Sequence, residues 1–247
     1  MKRPMIHFVV PFYNNESNLE VNVRALYQFL DANLGDGFEL VLCDDGSTDR
    51  SAEVAGALER SLSQIRPVGY SPNRGRGFAV RFAAETCRGE FLIYADLDFP
   101  KTTELGHILE MMRSLQDNQV VVGSRFLRES ETRRIWRRRA VSWAYRLLVR
   151  LFFPKLKIKD PDAGFKGFRL DGLKLMNRLS CEDRWSWDLE MLIIARANGL
   201  AVAEIPINWD ERHDRYVSSV NIFRDGWEEL TGMFRIRKNL KRGLYKL

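Results

Sequence analysis

The chain has 247 residues and a net charge of +6, with 45% apolar and 29% charged residues. This composition is that of an ordinary globular protein, which excludes a disordered or fibrous chain, and the length suffices for one full α/β domain. No apolar run approaches the ~20 residues of a transmembrane helix, and the N-terminus shows no signal peptide, so we expect a protein that does not span a membrane. The 3 cysteines lack metal-type spacing and indicate free thiols in a reducing compartment.

The positive charge is concentrated in one part of the sequence. Between residues 125 and 159, nine arginines and three lysines outnumber two glutamates. This segment therefore carries +10, which leaves −4 for the rest of the chain. Such a local concentration indicates a local anionic partner in place of a generally basic surface.

Strand-like and helix-like patterns alternate along the first half of the chain. The predicted strands cover residues 6–11, 38–43, 68–70, 91–94 and 120–123, and the predicted helices cover 19–30, 78–86 and 103–116, with a further helix ending at 62. Ser47 or Thr48 is the expected N-cap of that further helix. The alternation predicts a parallel sheet with helices on both faces.

Polar clusters follow three of the predicted strands, at residues 11–16, 44–49 and 96–98. In a doubly wound sheet such strand ends converge on one crevice, although one cluster alone is usually just a turn. Asp96 and Asp98 are separated by one residue, so extended backbone projects both carboxylates to the same side. Together they could hold Mg²⁺ or Mn²⁺ against phosphate oxygens, which points to nucleotide-sugar chemistry.

Seven motifs in order carry a resemblance to a known family. They lie at residues 9–14, 44–49, 73–77, 96–100, 123–125, 160–169 and 188–190. The chain resembles the family 2 glycosyltransferases with the GT-A fold, and is similar to the dolichyl- and polyprenyl-phosphate mannose and glucose synthases. The resemblance implies a Rossmann-like α/β fold, with a mostly parallel sheet flanked by helices and with C-terminal amphipathic helices. It also implies a GT-A domain at 1–220 and an amphipathic helix at 221–247.

The resemblance further implies which residues bind the nucleotide-sugar. Donor contacts are expected from Pro11, Tyr13, Asn15, Glu16, Asp44, Asp45, Arg74, Asp96 and Arg125. The metal would lie at Asp96 and Asp98, and catalytic roles would fall to Asp98, Arg125 and Asp188. Two positions depart from the family pattern: Asn15 stands where a Glu is usual, and Ser219 stands where the mannose synthases have a Lys. Arg212 or Arg215 could replace that Lys as a phosphate ligand.

The segment 133–153 reads as a basic amphipathic helix inserted in the domain. Arg139, Arg146 and Arg150 form a narrow row on it. The adjacent stripe is apolar and consists of Trp136, Ala140, Trp143, Leu147 and Leu151. This pattern suits anionic lipid headgroups or a lipid phosphate, with a core helix bearing a solvated basic edge as the competing interpretation. We expect no nucleic-acid partner, because nothing else in the chain resembles a nucleic-acid module.

A second amphipathic stretch lies near the C-terminus, with Phe223, Trp227, Leu230 and Phe234 on its apolar side. Since the sequence shows no transmembrane helix after it, we expect peripheral attachment at the cytoplasmic, inner face of the membrane. A separate membrane protein or a second copy of the chain is a further expected partner.

The acceptor side is expected to include Lys166 and Glu190 beside Asp188. A phosphate acceptor is largely dianionic at pH 7 and needs no base, whereas a hydroxyl acceptor would need one, with Asp188 as first candidate. We therefore expect a metal-dependent, inverting transfer of a hexose from a UDP-glucose or GDP-mannose class donor to a polyprenyl phosphate. The alternatives are a transferase for a polysaccharide or glycan hydroxyl, and a non-catalytic sugar-nucleotide-binding homologue. A nucleotidyltransferase is disfavoured, since no Gly-rich phosphate loop follows the first strand.

Overall fold

The computed structural model describes residues 6–133, 136–210 and 222–247, with the backbone alone at 137, 138, 222 and 223. The strands are β1 Ile6–Phe12, β2 Phe38–Asp44, β3 Ile65–Gly69, β4 Phe91–Ala95, β5 Val120–Ser124, β6 Thr132–Arg133, β7 Phe165–Arg169, β8 Val202–Pro206 and β9 Trp209–Asp210. The α-helices are α1 Glu16–Leu34, α2 Ser51–Ser61, α3 Arg76–Thr86, α4 Phe99–Thr102, α5 His107–Ser114, α6 Trp136–Phe152, α7 Leu170–Leu179, α8 Trp187–Ala197 and α9 Ile222–Lys241.

Seven strands form one mixed sheet in the order β3-β2-β1-β4-β7-β5-β8. All neighbours are parallel except β7, which runs antiparallel to both β4 and β5. The short strands β6 and β9 pair separately. The predicted fold class, a mostly parallel sheet flanked by helices, is confirmed.

The sheet is buried on both faces, which explains why its central strands are continuous apolar runs in the sequence. Val9, Val41 and Tyr94 point into one hydrophobic cluster, which they share with residues of α3, α7 and α8. Phe8 and Leu40, one residue away along their strands, point into the other cluster, with residues of α1, α2 and α5. The period of two along each strand therefore builds both layers at once.

Two local predictions need correction. The third strand spans Ile65–Gly69, three residues earlier than expected, because Ile65 pairs with Leu40. Helix α2 begins at Ser51, whose N–H donates to Asp49 Oδ1 at 2.9 Å. Ser47 and Thr48 do not cap that helix, because the N-cap residue is Arg50, and both hydroxyls instead accept hydrogen bonds from Asn14.

The C-terminal helix α9 packs against α6 and α8. Beyond it, Tyr245 is buried, and its hydroxyl donates to Glu190 Oε1 at 2.7 Å. The expected domain boundary at residue 220 lies outside the described residues and stays a prediction. Within residues 6–133, 136–210 and 222–247, no helix combines the length and hydropathy needed to cross a bilayer.

A cluster of three polar side chains, His7, Glu39 and Arg66, lies near the amino ends of β1 and β2. His7 Nδ1 and Arg66 Nη2 lie 2.8 and 2.9 Å from Glu39 Oε2, and His7 Nε2 accepts the N–H of Arg88 at 3.1 Å. Burial alone would raise the pKa of the Glu39 carboxyl, but its hydrogen bonds with His7 and Arg66 outweigh that effect and lower the pKa to about 2. The folded state is thus stabilised by this carboxylate.

We expect Glu39→Gln to lower the free energy of unfolding by about 2–3 kcal/mol at pH 7. Because the folded-state pKa lies below the ordinary value, the stabilisation is full above about pH 5 and is lost as the pH falls toward about 2. Urea unfolding of both proteins at several pH values measures the difference. Glu53→Gln, which breaks an exposed pair with Arg50, is the matched control and should cost less than about 0.5 kcal/mol. A pH-independent difference for Glu39→Gln would contradict the assignment.

Candidate functional site

The carboxyl ends of β1, β2 and β4 bring the three predicted polar clusters to one edge of the sheet. Phe12 pairs with Asp44 at the ends of β1 and β2. The loops that follow these two strands are joined directly, since Asn14 N–H donates to Ser47 Oγ at 3.0 Å and Thr48 N–H donates to Asn14 Oδ1 at 2.7 Å. The structure therefore brings the clusters together as the alternation of strands and helices predicted.

Asp45 organises the glycine loop, residues 73–77. Its buried carboxylate accepts the N–H groups of Arg74 at 2.8 Å and Gly75 at 2.9 Å, and the hydroxyl of Tyr70 at 2.7 Å. Burial and the adjacent Asp45 raise the pKa of Tyr70, which therefore stays a neutral donor. In this arrangement the Asp45 side chain fixes the shape of the loop.

Two side chains beside Asp45 are open to solvent. Tyr13 is exposed at the end of β1. The guanidinium of Arg74 stacks 3.5 Å from the ring centroid of Phe78 and forms an ion pair with Asp183 at 2.6 Å. An aromatic ring and a cation at the rim of a polar crevice are suited to contact a base and a phosphate.

The other predicted donor contacts near β1 make local bonds. Pro11 is buried within β1, and Asp44 Oδ1 accepts the N–H of Ser47 at 2.8 Å. Asn15 N–H donates to Ser51 Oγ at 2.8 Å, and Glu16 Oε2 accepts the N–H of Arg50 at 2.9 Å. These bonds tie the start of α1 to the loop before α2, and the donor role of these residues stays a prediction.

Asp96 lies directly after β4 and keeps 35% of its side chain exposed. Both carboxylate oxygens are within 3.2 Å of Arg76 Nη1. A Cβ at Gly164 would lie 2.1 Å from Asp96 Oδ2, so only glycine leaves room for the carboxylate there. Asp98 is half-buried at the start of α4, where its carbonyl accepts the N–H of Thr102 at 3.2 Å.

The residues at this strand end fit a magnesium or manganese ion. Asp96 and Asp98 supply hard carboxylate oxygens, and the absence of a Cβ at Gly164 leaves room for the first of them. Across the part of the chain that the structure describes, no group of three or more His, Cys, Asp or Glu could hold a metal by itself. Such a pair therefore suits an ion that takes its remaining ligands from substrate phosphates and water, as Mg²⁺ commonly does.

Arg76, which the sequence patterns did not single out, is the centre of the site. It lies within the glycine loop, where it is the first residue of α3, and its side chain is only 11% exposed. The guanidinium contacts Asp96 and Asp188, lies 3.9 Å from Asp162, and has the ring of Trp185 at 4.8 Å. Although burial lowers the pKa of Arg76, Asp188 and Asp96 raise it well above its ordinary value. Its position in a glycine loop at the start of a helix was the available signal.

Asp188, the candidate base, is enclosed in this same group. It is 1% exposed, and it accepts hydrogen bonds from Arg76, from the Tyr94 hydroxyl and from Lys166 Nζ at 2.7 Å. Burial alone would raise the pKa of this carboxyl, but Arg76 and Lys166 lower it below its ordinary value. An ionised, enclosed and fully hydrogen-bonded carboxylate is poorly suited to take a proton from a substrate hydroxyl.

Lys166 and Glu190 are also fully enclosed, which gives them structural roles in place of the expected acceptor-side position. Lys166 Nζ donates to Asp188 and to the carbonyl of Ala163. Glu190 accepts the N–H groups of Cys181 and Glu182, both at 3.0 Å, and the hydroxyl of Tyr245. The carboxylate of Glu190 thereby fixes the chain before α8.

Arg125 follows β5 and pairs with buried Asp160. Its Nε and Nη2 donate to the two carboxylate oxygens at 2.8 and 2.9 Å, and its backbone N–H donates as well. Burial alone would raise the pKa of the Asp160 carboxyl, but the Arg125 guanidinium outweighs that effect and lowers the pKa below its ordinary value. This bidentate pair joins the end of β5 to the loop before β7.

The three predicted acceptor arginines of α6 differ in their surroundings. Arg139 and Arg150 are exposed, whereas Arg146 is half-buried with its guanidinium 4.0 Å from the ring centroid of Phe126. Burial and the neighbouring Arg150 lower the pKa of Arg146. Its Nε has no hydrogen-bond partner among the described residues. A partly desolvated cation of this kind is suited to contact an anion. Arg212 and Arg215 lie outside the described residues.

The apolar stripe predicted on α6 faces solvent. Trp136 and Trp143 are 71% and 64% exposed, and Leu147 and Leu151 are exposed beside them. On α9, Trp227 and Phe234 are exposed as well, and the Phe234 ring contacts Phe152 of α6 at a centroid distance of 4.8 Å. The two helices thus present neighbouring apolar surface of a kind that usually marks a docking site.

Comparison with known proteins identifies the class. Residues 7–184 match the model of glycosyl transferase family 2. Glycosyltransferase AglD of Haloferax volcanii is 31% identical over 223 residues, which are 89% of this chain and 35% of that protein. The dolichyl-phosphate beta-glucosyltransferase of Homo sapiens is 29% identical over 218 residues, which are 82% of this chain and 66% of that protein.

A solved structure shares the fold. Glucosyl-3-phosphoglycerate synthase from Mycobacterium tuberculosis, in complex with Mn²⁺, uridine diphosphate and phosphoglyceric acid, has a TM-score of 0.69 and 20% identity, and the match covers 96% of this chain and 79% of that chain. The chain spans about one third of the length of the first of the two relatives and about two thirds of the second. The chain belongs to glycosyl transferase family 2, and the predicted enzyme class, a glycosyltransferase, is confirmed.

We expect Asp188→Asn to lower the free energy of unfolding by about 3–5 kcal/mol, because it leaves Arg76 and Lys166 buried without their shared counter-ion. Urea unfolding at pH 7 measures the loss. Asp117→Asn removes an exposed carboxylate and is the matched control, with an expected effect within about 0.5 kcal/mol. If Asp188→Asn were as stable as the wild type and merely inactive, the base role would regain support.

Proposed function

We propose that this protein is a metal-dependent, inverting glycosyltransferase that moves a hexose from a nucleotide-sugar to a polyprenyl phosphate at the cytoplasmic face of a membrane. The observation that carries the proposal is the placement of half-exposed Asp96 beside the glycine loop that Asp45 holds. In this arrangement a nucleotide site and a cation site share one crevice at the carboxyl ends of parallel strands.

The donor site is assigned to the open side chains of this crevice. Tyr13 and Arg74 contact the nucleoside and its phosphates, and Asp96 with Asp98 holds Mg²⁺ or Mn²⁺ against the diphosphate. A UDP-glucose class donor is favoured over GDP-mannose, because the solved neighbour binds uridine diphosphate with Mn²⁺ and the dolichyl-phosphate relatives are named for glucose transfer.

The acceptor is assigned to a phosphate monoester. Arg146 is a half-buried cation whose Nε lacks a partner among the described residues, and Arg139 and Arg150 lie on the same helix. The enclosure of Asp188 leaves a hydroxyl acceptor without its candidate base. A phosphate with a second pKa near ~6 is already nucleophilic at pH 7 and needs none.

The chemistry is a single in-line displacement. An oxygen of the acceptor phosphate forms the bond to the anomeric carbon while the bond from that carbon to the donor diphosphate breaks, which inverts the configuration. When bound, the divalent cation neutralises charge on the departing nucleoside diphosphate. Arg125, which is paired with Asp160, and exposed Arg74 are the side-chain cations assigned to the departing diphosphate. The negative charge of the acceptor phosphate is balanced by Arg146.

The exposed aromatic side chains of α6 and α9 support attachment to an anionic bilayer. Three exposed tryptophans suit the headgroup region, because the indole ring is apolar while its N–H can donate to water or headgroups: Trp136, Trp143 and Trp227. Arg139 and Arg150 flank the stripe and attract anionic headgroups. In this orientation Arg146 would lie near the level at which the phosphate of a polyprenyl lipid enters the protein.

Incubation of the protein with UDP-glucose, Mn²⁺ and polyprenyl phosphate should give a lipid-linked glucose, and chelation of the metal should stop the reaction. Asp96→Ala and Asp98→Ala should each lower turnover by about 100-fold or more, since both remove ligands of the charge-neutralising cation. Thin-layer separation of labelled lipid measures the product.

Asp117→Ala, which removes an exposed carboxylate, should retain full activity in the same assay. GDP-mannose in place of UDP-glucose tests the donor assignment. Transfer to a soluble sugar or peptide hydroxyl, with none to the lipid phosphate, would overturn the acceptor assignment. Unchanged turnover in Asp98→Ala would remove that residue from the metal site.

The double variant Trp143→Ser/Leu147→Ser should bind vesicles of phosphatidylglycerol and phosphatidylcholine about tenfold more weakly than the wild type, because less apolar surface enters the interface. Sedimentation with vesicles measures the binding, which should also weaken as salt is added. Val21→Ser/Leu175→Ser alters two other exposed apolar residues and is the matched control. Equal binding of both double variants would exclude α6 as the docking surface.

A further inference from the structure

Residues 182–187 form a thin layer, here called the junction segment, between α9 and the glycine loop. On the α9 side, Arg235 donates from Nε and Nη2 to the two carboxylate oxygens of Glu182 at 2.7 and 2.6 Å. The Glu182 side chain is only 6% exposed. Bidentate pairs with a buried partner fix geometry as well as adding energy. The orientation of the junction segment therefore depends on where α9 lies.

The backbone of α9 also touches the junction segment directly at Gly232. A Cβ at this position would lie 2.0 Å from Ser186 Oγ and 2.6 Å from Ser186 Cβ. The same Ser186 hydroxyl donates to Glu229 Oε2 at 3.3 Å. Glycine in the middle of a helix costs conformational entropy, and here it permits the close approach of the α9 backbone to the Ser186 side chain.

On its other side, the junction segment holds the glycine loop and the start of α3. The carboxylate of Asp183 accepts from Arg74 Nη2 at 2.6 Å, and the carbonyl of Asp183 accepts the N–H of Phe78 at 2.7 Å. A Cβ at Gly75 would lie 2.6 Å from Arg184 Cγ. One layer of residues thus separates α9 from the loop that carries Arg74.

We propose that α9 is a positioning element for the donor site, acting through the junction segment on Arg74 and Arg76. This inference rests on the proposed function, in which the glycine loop binds the nucleotide diphosphate. A displacement of the junction segment moves Asp183 with Arg74, and it moves Trp185 with the guanidinium that holds Asp96. The helix that carries exposed Trp227 and Phe234 therefore sets the affinity for the donor.

Gly232→Ala tests the proposal, with Gly226→Ala as the matched control on the same helix. A Cβ at Gly226 meets nothing within 4 Å, and alanine is the better helix former at both positions. Isothermal titration with uridine diphosphate and Mn²⁺ should show a Kd about tenfold higher for Gly232→Ala and unchanged for Gly226→Ala, because small displacements of positioned groups are costly. The KM for the nucleotide-sugar should rise in parallel while the KM for polyprenyl phosphate stays the same.

Ser186→Gly/Gly232→Ala removes the atoms that the new methyl group would meet, and it should restore the affinity for the diphosphate. Recovery of this kind would not follow from a general loss of stability. Should Gly232→Ala fail to fold, this double variant and Arg235→Lys carry the comparison, and Arg235→Lys should raise the Kd as well. A Kd for Gly232→Ala equal to that of the wild type would overturn the proposal, and so would an unchanged Kd for Arg235→Lys. A wild type that binds neither uridine nor guanosine diphosphate with Mn²⁺ would instead overturn the proposed function.

Discussion

The guanidinium of Arg76 is the contact on which the candidate site depends. It joins the start of α3 to Asp96 after β4 and to Asp188 at the start of α8. Lys166 of β7 reaches the same Asp188. Buried charges are tolerated only when each is paired and hydrogen-bonded, so this group holds three elements and the central strand end in one arrangement.

The net charge of this group of side chains is relevant to the proposed binding of a divalent cation at Asp96. Two positive charges, on Arg76 and Lys166, face the carboxylates of Asp96, Asp162 and Asp188, which leaves one negative charge in excess. Burial raises the pKa of the Asp162 carboxyl, although Arg76 opposes the shift. Under the proposed function, a divalent ion at Asp96 would add positive charge beside this group and would link it to the donor diphosphate.

The sequence predicted those parts of the fold that depend on local pattern. Strands β1, β2, β4 and β5 are apolar runs, and the carboxylates after β4 are visible by their spacing. Strand β7 was missed, because Phe165–Arg169 contains a lysine and a glycine and does not read as a buried strand. The burial of Lys166 depends on Asp188, which lies 22 positions away in the sequence. The role of Arg76 likewise depends on a partner 112 positions away. Pairings of this kind leave no periodic signal.

Long-range contacts also separate the roles of Asp188 and Asp96, although the family motifs predicted both residues as site residues. Each is a carboxylate near the carboxyl end of the sheet, but Asp96 keeps 35% of its side chain exposed and Asp188 keeps 1%. Exposure lets the first accept a cation and a substrate, whereas the second is already neutralised by the protein. Because the enclosed carboxylate is poorly placed to deprotonate an acceptor, the proposed function assigns the acceptor role to a group that carries its own charge. A phosphate is such a group, and the half-buried guanidinium of Arg146 on α6 is the cation assigned to it.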